Sequence, residues 1–181
     1  MGGSDAPQPS RFVLQCLSDL RPVIGAQPSV LDVAMGAGRH GVALARCGFR
    51  VFGVDRDYAR VREARRRLRD SGSSSHLWVA DLESRPLPQG HFDLVLCTRY
   101  LHRALWSHLS RAVAPGGFLL YETFTVEQRR YDWGPQSSEH LLTPGELRAA
   151  FADWDVWVYE ERDAPAAEAS LLARRPAPRL I

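Results

Sequence analysis

Seven short apolar runs rich in branched residues recur along the chain, separated by longer segments with apolar residues at helical spacing. This alternation constrains the fold more than any single motif does. The runs are Ser29 to Val33, Arg50 to Val54, His76 to Ala80, Phe92 to Cys97, Gly117 to Thr123, Trp154 to Tyr159 and Ala169 to Arg174. Most are continuously apolar, as strands buried on both faces must be. The segments Arg11 to Ile24, Arg39 to Arg46, Tyr58 to Arg69, Ala104 to Val113 and Pro144 to Phe151 read as helices. A parallel sheet covered by helices on both faces satisfies both patterns, so the class is α/β. In the third helix Tyr58, Val61, Ala64 and Leu68 form the apolar stripe, which leaves Arg60, Arg62, Arg65, Arg66, Arg67 and Arg69 toward water. Thr143, Pro144 and Glu146 open the last helix with a cap, a first-turn proline and a carboxylate that favours the positive helix end.

A chain of 181 residues is long enough for one full core and short for two. The expected organisation is a flexible N-terminal segment at 1–9, one domain at 10–176 and a C-terminal tail at 177–181. The apolar runs fall short of the roughly 20 residues a membrane-spanning helix needs, and Met1 to Ser10 lacks the charge and apolar core of a signal peptide. The chain is therefore expected to stay in the cytoplasm. All 23 basic side chains are arginine, yet the formal charge is only +2, which does not favour a nucleic-acid partner. Cys16, Cys47 and Cys97 are odd in number and widely spaced, so they read as buried thiols rather than as part of a metal site. Ser71 to Ser75 reads as a connector and Thr125 to Leu142 as a long polar and aromatic loop.

The most informative segment runs from Val30 to Gly41, where an apolar strand leads into Gly36-Ala37-Gly38-Arg39-His40-Gly41 and then a helix. Glycines at such a turn accept positive backbone dihedrals and let a ligand approach the main chain. The following helix points free N–H groups and its positive dipole end at the same place. Read literally the glycines spell GxGxxG, which serves NAD-binding folds as well, and a glycine turn also serves strand–helix packing alone.

Three strand-end acids narrow the choice. Asp32, near the end of the first strand, would repel a pyrophosphate but attract the ammonium of an aminoacyl group. Asp55 closes the second strand, where a carboxylate accepts both hydroxyl hydrogens of a ribose. Asp81 closes the third and is placed to accept from an adenine amino group while Leu82 covers the ring. Each acid singly also suits a cap or turn; their joint order after successive strands favours a sulfonium nucleoside over NAD.

With these residues in place, the chain resembles the class I S-adenosylmethionine-dependent methyltransferases over nearly its whole length. Val30-Leu31-Asp32-Val33-Ala34-Met35-Gly36-Ala37-Gly38 is similar to their first motif, with Ala34 where the family commonly has glycine. Val54-Asp55-Arg56 resembles the ribose-binding strand end, Ala80-Asp81-Leu82 the adenine-binding turn, and Phe92 to Cys97 the fourth strand. Ala114-Pro115-Gly116-Gly117 resembles the turn into the fifth. Arg39-His40 and the compact size resemble the tellurite-resistance-like branch of small-molecule methyltransferases. The resemblance implies a seven-stranded Rossmann-like sheet of order 3-2-1-4-5-7-6, the last strand antiparallel, with S-adenosylmethionine over the carboxyl ends of the first strands. Asp32, Ala34, Gly36, Gly38, Asp55, Arg56, Asp81, Leu82 and Cys97 are the cofactor-binding residues it implies.

The resemblance names no acceptor. Cys97-Thr98-Arg99-Tyr100 stands where enzymes acting on base amines often carry an Asn/Asp-Pro-Pro-Tyr motif, which disfavours that chemistry. The connection between the last two strands is short and lacks histidine, so a tellurite-like substrate is not implied. In-line transfer needs mainly alignment and exclusion of water, with a base only for a protonated acceptor. His102 and Tyr100 are the acceptor-side candidates, His102 as proton acceptor. Arg99 and Arg103 suit an anionic acceptor, and Tyr121, Glu122 and Phe124 lead into the loop of Tyr131 and Trp133, a candidate lid. A helix start at Tyr100 to Arg103 and an ordinary packed loop explain the same residues. A small-molecule acceptor is expected. The alternatives are a noncatalytic nucleoside-binding protein using the Arg60 to Arg69 face on RNA, an RNA-directed methyltransferase, and an NAD-dependent oxidoreductase.

Overall fold

Five parallel-running strands and a terminal hairpin build one mixed sheet in the computed structural model, which describes residues 8–85 and 87–177. The strands are β1 (Ser29–Val33), β2 (Arg50–Asp55), β3 (Ser75–Val79), β4 (Phe92–Thr98), β5 (Val113–Phe124), β6 (Asp155–Arg162) and β7 (Glu168–Arg174). Their order is β3-β2-β1-β4-β5-β7-β6, and β7 is antiparallel to both neighbours. The expected sheet is therefore present with its order and its one reversed strand. Residues 1–7 and 178–181, where the flexible segment and tail were expected, lie outside the described residues.

The helices are α1 (Arg11–Leu20), α2 (Gly41–Arg46), α3 (Tyr58–Asp70), α4 (Trp106–Ala112) and α5 (Glu146–Ala150). Strand alternation assigns them to two sides. Val30, Leu94, Leu96, Phe118 and Leu120 face α1 to α3, whose Val13, Leu17, Leu44, Val61 and Leu68 complete one core. Leu31, Val33, Val95, Leu119 and Tyr121 face α4 and α5, where Leu109, Leu147 and Phe151 complete the other. Among the described residues no helix is long and apolar enough to cross a membrane.

Several boundaries differ from expectation for local reasons. The segment Ala104 to Val113 is divided into a 3₁₀ turn at Arg103–Leu105 and α4, and Val113 already pairs with Phe92 in the sheet. The last helix starts at Glu146 rather than Pro144 because Gly145 turns left-handed at φ 74°. Glu146 accepts from the Thr143 N–H and hydroxyl at 2.8 and 3.0 Å, so Thr143 donates to the carboxylate instead of capping the helix with its own oxygen. Tyr58 is 67% exposed and lies off the packed stripe of Val61, Ala64 and Leu68. Asp57, not predicted as a cap, accepts from the N–H groups of Ala59 and Arg60 and starts α3.

The arginine face of α3 is largely neutralised. Arg66 and Arg67 both reach Glu63 at 2.8 Å, Arg60 meets Asp57, Arg69 meets Asp70, and Arg65 donates to the Leu77 carbonyl. A row engaged this way offers little free charge to phosphates, which weakens the RNA-face alternative.

Candidate active site

The carboxyl ends of β1, β2, β4 and β5 open into a cavity of about 580 Å³, a size suited to a nucleoside-sized ligand. Its donor side is lined by Ala34, Asp55, Arg56, Asp81 and Leu82, and its other side by Arg99, Tyr100, Leu101, Thr123, Phe124, Pro135 and His140. Arg60 of α3 also borders it.

Asp55 is the hinge of the donor side. One of its oxygens accepts from the Gly36 N–H at 2.7 Å and the other from the Asp57 N–H at 2.9 Å. A carboxylate has about four acceptor positions, so two remain for ligand hydroxyls after it has fixed the glycine turn. Ala34 and Gly36 both take positive φ, 53° and 56°, to bring the turn back over β2. Asp81 accepts from the Glu83 N–H at 3.0 Å, which orients its carboxylate at the cavity, and the nearly buried Leu82 supplies an apolar wall.

Asp32 does not line the cavity. It points to the α1 side of β1, 2% exposed, and neither carboxylate oxygen has a hydrogen-bond partner among the described residues. Burial pushes its pKa up to about 7, against the opposing pull of Arg39. A buried carboxylate without partners is costly, and an ammonium ligand placed on it removes that cost.

Gly38 and Cys97 also sit away from the cavity. A Cβ on Gly38 would come 2.8 Å from Ala64 Cβ, so this glycine admits α3 against the turn. Cys97 is fully buried, and burial pushes its thiol well up. The helix expected at Arg39 starts at Gly41 and spans six residues, too short for its N-terminus to act as an anion site. His40 is buried and pushed down to about 3, chiefly by desolvation; its Nε2 accepts from the Ser10 N–H at 3.3 Å.

On the acceptor side Tyr100 lines the cavity and His102 does not; His102 precedes the 3₁₀ turn at Arg103. Burial raises the Tyr100 phenol to about 12, so it stays protonated and acts as a donor. Arg99 takes φ 53°, reaches Glu168 at 3.3 Å and lies over the Phe124 ring at 5.5 Å, still facing the cavity. Arg103 instead clamps Glu146 and the carbonyls of Glu139 and Leu141, so it ties the loop down rather than waiting for an acceptor.

The expected loop is anchored at both ends. Gln128 is fully buried, donating to the Trp133 carbonyl and accepting from Ala167 N–H, while Tyr131 donates to the Asp163 carbonyl. Tyr131 packs on Trp133 and Trp133 on Phe124, and it is Pro135 and His140 that reach the cavity. His140 was missed in the sequence because nothing near it in the chain resembles a site; only its place in a polar loop marked it.

Comparison with known proteins agrees with this architecture. A family model described as a methyltransferase domain matches residues 30–117. Ubiquinone biosynthesis O-methyltransferase of Methylobacterium sp. (strain 4-46) is 28% identical over 162 residues, 84% of this chain and 64% of that protein. TehB from Haemophilus influenzae superposes with a TM-score of 0.73 at 17% identity, covering 89% of this chain and 62% of that one. An S-adenosylmethionine-dependent methyltransferase from Clostridium acetobutylicum gives a TM-score of 0.72 at 13% identity, covering 92% and 90%. The chain spans roughly half to two thirds of the length of the curated relatives it matches. The methyltransferase-domain match runs from β1 through β4 and into β5 of a sheet of this order, so the chain carries a segment similar to the methyltransferase domain on the fold shared by these S-adenosylmethionine-dependent methyltransferases.

Proposed function

We propose that this chain transfers a methyl group from S-adenosylmethionine to a small-molecule acceptor, in the cytoplasm. The observation that carries the reading is the row of Asp32, Asp55 and Asp81 at three successive strand ends, with Asp32 buried and unpartnered and the other two lining one cavity. Asp55 would accept the ribose hydroxyls, Asp81 the adenine amino hydrogens, and Leu82 and Leu101 would enclose the ring. When bound, the sulfonium supplies an electrophilic methyl group that needs no further activation.

The chain's own work is then alignment, exclusion of water and management of one proton. Tyr100 donates a hydrogen bond into the cavity, Phe124 and Pro135 shield it, and Arg99 holds positive charge for an anionic or polar acceptor. His140, the histidine that lines the cavity among the described residues, is placed to take the proton of a hydroxyl acceptor, in place of His102. A small acceptor is favoured by the size of the cavity, about 580 Å³, by the engaged arginines of α3, and by relatives named as O-methyltransferases of ubiquinone biosynthesis.

The test is incubation with methyl-labelled donor and separated small-molecule, protein and RNA fractions. Label in the small-molecule fraction is expected, and label confined to protein or RNA would overturn the acceptor class.

A further inference from the structure

Arg99 is held at its backbone, its Nε and its face, and left open at its outer edge. It takes a left-handed φ of 53° just beyond β4, a conformation that a non-glycine residue keeps only where its surroundings enforce it, and its N–H donates to the Glu122 carbonyl at 2.8 Å. Its Nε donates to Glu168 at 3.3 Å, and its Cζ lies 5.5 Å from the centre of the Phe124 ring. Among the described residues nothing accepts from Nη1 or Nη2, and Arg99 and Phe124 both line the cavity.

The acid that holds this arginine is itself fixed. Glu168 is 3% exposed, and its second oxygen accepts from Arg162 at 2.7 Å. Arg162 also donates to Glu122, whose carboxylate is further engaged by Ser10 and Ser170. Of these two buried acids only Glu168 pairs with Arg99. Such a pair adds little stability over an apolar one; its effect is to fix which edge of the guanidinium stays free. A guanidinium held through Nε presents Nη1 and Nη2 as a parallel fork, which matches the two oxygens of a carboxylate. A phosphate would match the same fork, but the other charged lining favours one negative charge over two, because Asp55, Asp57, Asp81 and Glu83 outnumber Arg56 and Arg60 there.

We infer that the methyl acceptor carries a carboxylate, which Arg99 binds through its outer fork, and that Glu168 is the positioning residue that keeps this fork at the cavity. The inference rests on the proposed small-molecule reading and deepens it, naming the charged group that orients the acceptor and the buried residue that selects for it.

The experiment compares benzoate with benzamide, a neutral probe of the same shape, by ligand-observed NMR titration of the full chain loaded with S-adenosylhomocysteine. Loading keeps both probes off the donor side. On the unaltered chain benzoate should bind about 20-fold more tightly than benzamide. Arg99→Met should bring that ratio to about one, and Arg99→Lys, a point charge without the fork, should keep about fourfold. Glu168→Ala should cut the ratio to about threefold, while Glu168→Gln, whose amide oxygen still accepts from Nε, should keep about tenfold. A ratio of two ligands on one protein does not move when part of the sample unfolds, so a merely structural Glu168 would leave it at the unaltered value. Equal binding of the two probes to the unaltered chain, or binding of neither, overturns the inference. A ratio unmoved by Arg99→Met or by both Glu168 variants overturns it too, and inorganic phosphate binding more tightly than benzoate would overturn the carboxylate. Should Glu168→Ala fail to fold, Glu168→Gln still decides. Preference for benzoate together with methyl label confined to protein or RNA would sink the small-molecule reading and not the fork. Failure of S-adenosylhomocysteine to bind would sink the donor reading, and the same titration on the ligand-free chain then decides the carboxylate.

Discussion

The donor side and the acceptor side of the cavity are built in different ways. On the donor side Ala34, Asp55 and Asp81 stand at or next to the ends of β1, β2 and β3, so each position follows from one strand and its turn. On the acceptor side Arg99, Phe124, Pro135 and His140 come from two strand ends and a loop, brought together by Arg103, Gln128 and Tyr131 reaching far along the chain. The difference teaches that the donor site is a property of the sheet, while the acceptor site is a property of tertiary clamps. Changes to the first should abolish nucleoside binding, and changes to the second should leave it nearly intact.

The largest effect is expected at Asp55, which serves the turn and the ligand together. Asp55→Ala should weaken S-adenosylhomocysteine by about a hundredfold or more, since two hydrogen bonds to a charged acceptor and the Gly36 anchor are lost together. An unchanged dissociation constant would break the donor half of the comparison.

The next effect is one of pH. Asp32 stands at about 7 in the ligand-free chain, raised mainly by burial, with Arg39 opposing and Asp55 adding. A ligand ammonium requires the ionised form, so binding releases a proton below that value. Affinity for S-adenosylhomocysteine should fall by roughly tenfold per pH unit below about 7 and level off above it. His40 stays neutral down to about 3 and does not contribute in this window. Asp32→Asn should flatten the profile; a steep profile persisting in that variant would assign the proton elsewhere.

The same carboxylate predicts a stability effect of opposite sense. Because its pKa in the folded chain lies above the unfolded value, ionisation favours the unfolded state, and stability is lost as pH rises from about 4 to about 7. Asp32→Asn should therefore raise the stability of the ligand-free chain by about 1–3 kcal/mol at pH 8, with the gain shrinking toward pH 4. Urea unfolding of both proteins at the two pH values measures it. A destabilised variant at pH 8 would mean that Asp32 has a partner in the free protein.

The smallest effect on the nucleoside belongs to the acceptor side. Arg103→Ala removes the clamp on Glu146 and on the loop carbonyls, so proteolysis between residues 125 and 142 should accelerate by about tenfold. Affinity for S-adenosylhomocysteine should change by less than about threefold. A loss comparable to that of Asp55→Ala would erase the distinction between the two sides.

The same division governs what the sequence revealed. All seven strands, the α/β class and the strand-end acids were legible because they depend on periodicity and turn chemistry within a few residues. Asp55 and Asp81 line the cavity, whereas Cys97 and Gly38, assigned by their place in a motif, face a core and a helix. His102 and His140 show the limit most clearly. His102 follows strand β4 in sequence yet stays off the cavity, while His140 lies some forty residues further on and reaches it through a loop whose path is set by the burial of Gln128. No local pattern encodes such a contact, because its energy comes from pairing segments that are distant in the chain.

The central claim is that this crevice holds a sulfonium nucleoside and not a dinucleotide. Titration calorimetry of the intact chain with S-adenosylhomocysteine and, separately, with NAD decides it: saturable one-to-one binding of the first and no heat from the second are predicted. Retention of NAD, or indifference to both, would contradict the account.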